Sequence, residues 1–197
     1  MSSPYLTRGG TALLAASVLL VIATIGEIPL LGHSHPGGAA FWIFLVTFEL
    51  SSVGYLVAAL LLGVGAGAIA ARSTLARVGL IAFGVFWLVA QTIYLFGSYL
   101  TPSDGLLLAS TLLSILMLIG GLIAGITIGA RALVRGAGRW ILLIVVVISG
   151  VTGAIAGGST AIGLVTALHL VSAVGLAIAG LVYLLARPGR DANAYAG

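Results

Sequence analysis

Six long apolar stretches joined by turns of a few residues constrain this chain more than any other feature. They run over residues 11–31, 40–71, 76–99, 106–130, 140–156 and 161–186. Each has about 17 residues or more, the length a helix needs to cross a hydrocarbon layer of about 30 Å. In lipid the backbone must satisfy its own hydrogen bonds, so a spanning segment is a helix or part of a closed barrel. The alternating strands of about ten residues that a barrel requires are not seen. The expected fold is therefore all-α: a polytopic integral membrane protein, with residues 1–197 forming a single bundle of six transmembrane helices. The second stretch is long enough to tilt or to extend past the bilayer.

Composition agrees with the bilayer as solvent. The chain is 61% hydrophobic and 6% charged, against about 25% charged residues in a soluble domain. Its 29 glycines suit membrane helices, where a missing side chain lets backbones approach. Cysteine is absent, which removes disulfides, thiolate metal sites and cysteine nucleophiles.

The net charge of +4 is eight arginines against four acidic residues, and the chain has no lysine. These arginines do not form a basic face for nucleic acid. Arg8 precedes the first stretch, Arg72 and Arg77 flank the second turn, and Arg131, Arg135 and Arg139 occupy the fourth. Arg187 and Arg190 follow the last stretch. The other three turns contain no arginine, so every positive charge falls on one side. By the positive-inside rule that side is cytoplasmic, which makes the topology N-in/C-in. Arginine without lysine, amid much alanine and glycine, points to a GC-rich bacterial genome and so to the bacterial cytoplasmic membrane. No convincing A-x-A site follows the first stretch, so it is expected to remain as a helix rather than be removed as a signal peptide.

Ionisable residues at membrane depth cost at least about 2.5–3.5 kcal/mol each and mark function by default. At a rise of 1.5 Å per residue, Glu49 lies about 13 Å below the outer boundary. Gln91, Ser114 and His169 each lie about 12 Å below it. Four helices thus offer a polar side chain in one layer. Tyr94 shares a stripe with Gln91 at helical spacing, and His169 shares one with Ala173, Leu176, Gly180 and Tyr183. Gln91 and Ser114 read first as interhelical glue. Glu49 and His169, if adjacent, are the usual parts of a proton relay.

The segment "GEIPLLGHSHPGG", residues 26–38, is expected to be the outer turn after the first helix. Pro29 ends or kinks that helix, and Pro36-Gly37-Gly38 turns the chain back. His33 and His35 are suitable ligands for Zn²⁺ or Cu²⁺, but two imidazoles in a loop hold metal weakly without a fixed third ligand. No metal site is expected there. Glu27, about 6 Å below the outer boundary, is the outermost station of any pathway leading to Glu49. No cofactor is expected: a b-type haem would want axial histidines at membrane depth, and only His169 qualifies.

Motifs for phosphate binding, zinc proteolysis and serine hydrolysis are absent. The leading expectation is a small transporter or channel-like protein whose polar layer of Glu49, Gln91, Tyr94, His169 and Glu27 handles a small solute or proton. The alternative is a non-catalytic subunit or scaffold. A weaker one is a membrane enzyme or metal protein using the outer histidines. The expected partners are the bilayer and a second copy or another membrane protein docked through glycine-rich faces. The leading such face is Gly121, Gly125 and Gly129, spaced by four.

Overall fold

A computed structural model describes residues 4–30, 38–64, 68–157 and 162–186. Six helices appear: α1 (Pro4–Glu27), α2 (Ala39–Gly63), α3 (Thr74–Leu95), α4 (Asp104–Ala130), α5 (Ile141–Gly157) and α6 (Ile162–Leu185). All six, with their short extensions, are long and apolar enough to cross a membrane. The chain is an all-α, multi-pass membrane protein.

Local chemistry accounts for the ends. Ser73 caps α3, its hydroxyl accepting from the Ala76 amide at 3.3 Å, which satisfies one of the orphan donors at a helix start. Asp104 opens α4, where a carboxylate meets the positive end of the helix dipole. The long second stretch divides: α2 stops at Gly63, Val64 is extended, and Ile69–Arg72 forms a separate 3-10 turn. Gly63 at the end of α2 favours the stop, since a glycine costs helix up to about 1 kcal/mol relative to alanine.

Each helix packs on the next in sequence, and α6 returns to α1. The result is a closed ring of antiparallel neighbours. Small residues set the closest approaches. An added Cβ on Gly79 would stand 2.8 Å from the Ala124 amide nitrogen of α4, and one on Gly120 would stand 3.0 Å from the Gly79 carbonyl oxygen. Gly10 and Gly180 form the same kind of crossing where α1 meets α6. The glycine edge of α4 is occupied inside the chain: a Cβ on Gly125 would lie 2.8 Å from the Leu143 Cα of α5, and Gly129 lies against the ring of Trp140.

The ring is filled unevenly. One large core draws Leu13, Tyr55, Phe83, Ile128, Val145 and Leu176 from all six helices, with Trp87 and Tyr183 among its largest members. A second, smaller core holds Ala23, Leu30, Phe41, Phe44, Phe48 and Leu95 and belongs to α1, the 3-10 turn Ile28–Leu30 that follows it, α2 and α3. It sits toward the end of the bundle where α1 finishes and α2 begins. At that end α4, α5 and α6 bury far fewer side chains. The outward surface of the ring is aliphatic, as in Val18, Ile22 and Ile25 of α1 or Val171, Val174 and Ile178 of α6.

Among the described residues, Arg8, Arg77, Arg131, Arg135 and Arg139 all lie at one end, where α1 and α3 begin and α4 finishes. Glu27, Glu49 and Asp104 lie in the opposite half. The bundle is electrically polarised along its axis.

Candidate functional site

Glu27 closes α1, on the buried stripe that carries Leu13, Ala16, Ser17, Ala23 and Thr24. It is 8% exposed. A carboxylate in such a place needs donors, and two tyrosines supply them. Tyr94 donates its hydroxyl to Glu27 Oε1 at 3.3 Å, and Tyr99 donates to the same oxygen through a short contact. Among the described residues no hydrogen bond reaches Oε2.

Backbone geometry brings the tyrosines together. After Leu95 the helix widens into a π-turn over Phe96–Leu100, with the Thr101 amide donating to the Phe96 carbonyl at 2.8 Å. Residues five apart on a continuous α-helix point about 140° away from each other. In a π-turn, with its i→i+5 bonds, they come to nearly the same side. Tyr94 and Tyr99 accordingly stand edge to face, 6.4 Å between ring centroids and 86° between planes. Behind them, Tyr99 packs on Phe44 at 5.4 Å and Phe41 at 6.1 Å, and Tyr94 on Phe48 at 6.3 Å. The rings hold the two hydroxyls in place and keep lipid away from the carboxylate.

His169 faces this group from α6. It lies on the stripe of Ala173, Leu176, Gly180 and Tyr183, which is the inward face of that helix. Ala173 and Tyr183 are fully buried and Leu176 nearly so. His169, one turn nearer the end of the bundle, is exposed and lies within electrostatic reach of Glu27. An exposed side chain on an inward face defines a recess, opening where α4, α5 and α6 bury least. Gln91, one turn deeper than Tyr94 on the inward side of α3, is half-buried. Beneath it the interior closes. Tyr55 and Trp87 pack at 4.5 Å, the Tyr55 hydroxyl bonds Ser17 Oγ at 3.1 Å, and Ser51 donates to the Ala16 carbonyl at 2.9 Å.

The residues singled out from sequence fall into two groups. Glu27, Tyr94, Gln91 and His169 face the interior at the same end of the bundle. Glu49 stands apart on the edge where α2 meets α3. It is half-buried, and it accepts from Thr92 Oγ1 at 3.2 Å. Lipid-facing Val46, Leu50 and Val53 are its neighbours on α2. Glu49 thus has Thr92 as its hydrogen-bond partner, while Glu27 is the carboxylate that acts electrostatically on His169. Ser114 is turned onto its own helix, donating to the Ser110 carbonyl at 2.9 Å, while Ser110 ties α4 to the Ala90 carbonyl of α3 at 2.9 Å. His33 and His35 lie outside the described residues. Sequence reasoning did not find Tyr99: a spacing of five matches neither the helical nor the strand period, and only the π-turn turns it inward.

Among the described residues no three His, Asp or Glu side chains converge on a point that could hold a metal ion. Glu27 Oε2 can accept hydrogen bonds, and the His169 imidazole and the Gln91 amide can each both donate and accept, against a wall of aromatic rings. No protein-family model matches the chain, and no curated protein or solved structure matches it either.

Proposed function

We propose that this protein is a small bacterial cytoplasmic-membrane transporter or channel-like protein, with both termini cytoplasmic, that takes a small solute or proton into an outward-facing recess at Glu27. The observation that carries this reading is the exposed His169 on the inward face of α6, opposite a buried carboxylate. A bundle serving only as a packed scaffold would fill that position with an apolar side chain, as it does at Ala173 and Leu176. Glutamate and histidine side chains at membrane depth are the usual parts of a proton relay, and the two tyrosine hydroxyls hold the Glu27 carboxylate in place. The packed layer at Tyr55 and Trp87 is the closed gate of an outward-open state.

Reconstitution into vesicles tests this. With a pH-sensitive dye trapped inside, an imposed solute or proton gradient should change the signal faster than in protein-free vesicles. Glu27→Gln should remove the difference. Equal rates with and without protein across protons and a panel of small solutes would end the transport reading.

A second reading has one observation in its favour. Glu49 lies half-exposed at the lipid-facing edge between α2 and α3, where a carboxyl favours a polar neighbour from a second copy or another membrane protein. On this reading docking uses that edge rather than the α4 glycines, which α5 occupies. Cross-linking from cysteines at Val46 and Leu50 would capture such a partner; monomer alone would argue against it.

A further inference from the structure

We infer that the recess at Glu27 binds a primary alkylammonium cation, its nitrogen at Glu27 Oε2 and its carbon chain against the rings of Tyr94 and Tyr99. The inference rests on the transport reading and names the ligand class for that site.

Three observations converge on it. The first is the sign of the field. Every described arginine lies at the far end of the bundle, while Glu27, Glu49 and Asp104 occupy the half that holds the recess. A low-dielectric cleft lined by one sign of charge concentrates the opposite ion, and an anion would meet no guanidinium there.

The second is the donor balance at the carboxylate. Both tyrosine hydroxyls are directed at Oε1. Among the described residues no donor reaches Oε2, which as a carboxylate oxygen can only accept. An ammonium carries three N–H donors and no acceptor, so it fits this set. A carboxylate or phosphate ligand does not.

The third is the wall. Tyr94 and Tyr99 stand at 86° to each other and are backed by Phe41, Phe44 and Phe48. Ring faces attract a cation by their quadrupole and bury alkyl groups by the hydrophobic effect.

The test is calorimetric titration of the purified full chain in detergent with propylammonium, and with three probes of similar size or charge: propan-1-ol, propanoate and sodium ion. Propylammonium should bind at least tenfold more tightly than each of the others. Glu27→Gln should lose at least tenfold in propylammonium affinity, and Tyr99→Phe about threefold, while Glu49→Gln stays within twofold of the parent. The probe series needs only the parent protein, so it decides the matter even where a variant fails to fold. Propan-1-ol binding as well as propylammonium would overturn the inference by removing charge from recognition. Sodium displacing propylammonium at equal concentration would overturn it in favour of a hard-cation site. Full affinity in a folded Glu27→Gln protein would place the ligand elsewhere. Vesicle flux without propylammonium binding would leave the transport reading standing and sink only the ligand class; binding without flux would do the reverse.

Discussion

Replacing Gly180 with alanine should loosen the seam that closes the ring. An ideal Cβ there would stand 2.6 Å from the backbone nitrogen of Leu14 and 3.0 Å from both the Gly10 carbonyl oxygen and the Leu14 Cα. Ordinary carbon contacts lie at about 3.5–4.0 Å, and backbone atoms cannot rotate away as a side chain can. α6 and α1 must therefore separate by about 1 Å along this crossing. Overpacking of this kind costs about 1–3 kcal/mol. Alanine returns up to about 1 kcal/mol through its better helix propensity, leaving a net loss of up to about 2 kcal/mol. At about 2–4 °C per kcal/mol for a chain of this length, the midpoint should fall by up to about 8 °C. Gly153→Ala supplies the control: it is also helical, but nothing lies within 4 Å of its would-be Cβ, so it should hold the midpoint or raise it. Thermal unfolding in detergent, followed by the fluorescence of Trp42, Trp87 and Trp140, reads both. If Gly180→Ala matched Gly153→Ala, the close α1–α6 crossing would be refuted, and with it the closed ring.

Because the chain contains no cysteine, single cysteines can be read without background. A membrane-impermeant thiol reagent added from outside should label His169→Cys at least tenfold faster than Leu176→Cys about two turns deeper or Val171→Cys on the lipid side; equal labelling would abolish the recess. Tyr99→Phe removes a hydroxyl from a buried carboxylate, which typically costs about 1.5–3 kcal/mol for a bond to a charged group, and should lower the unfolding midpoint more than Tyr5→Phe at the far end of α1; equal midpoints would mean that the short contact contributes nothing. A reporter fused to the C-terminus should read cytoplasmic, and an external signal would invert the proposed orientation. Metal analysis of purified protein should find well under one equivalent, and a stoichiometric ion lost in a His33→Ala, His35→Ala double variant would show the outer loop to be a metal site.

Six spans, their approximate limits and the clustering of arginine were legible in the sequence because each is a local property. An apolar run of sufficient length is a membrane helix wherever its neighbours stand, and a depth along one helix follows from residue count alone. Depth, however, says nothing of azimuth. Glu49 and His169 lie at similar estimated depths, yet α2 packs with Glu49 on its α3-facing edge, bonded to Thr92, while the buried stripe of α1 delivers Glu27 to the interior. Which carboxylate faces His169 depends on how the helices are rotated, and side-chain packing along whole faces sets that rotation. The α4 glycines were legible as a contact edge, but α5 and any other small-residue face were equal candidates to fill it until Leu143 and Trp140 were seen against them. Tyr99 depended on a single widened turn, a backbone event of small energy that no residue pattern announces. The recess itself is a difference between two ends of one bundle: it exists because α1, α2 and α3 pack their aromatic rings together at an end where α4, α5 and α6 do not. Such a difference is a relation among six segments, and it comes into being only when they are assembled.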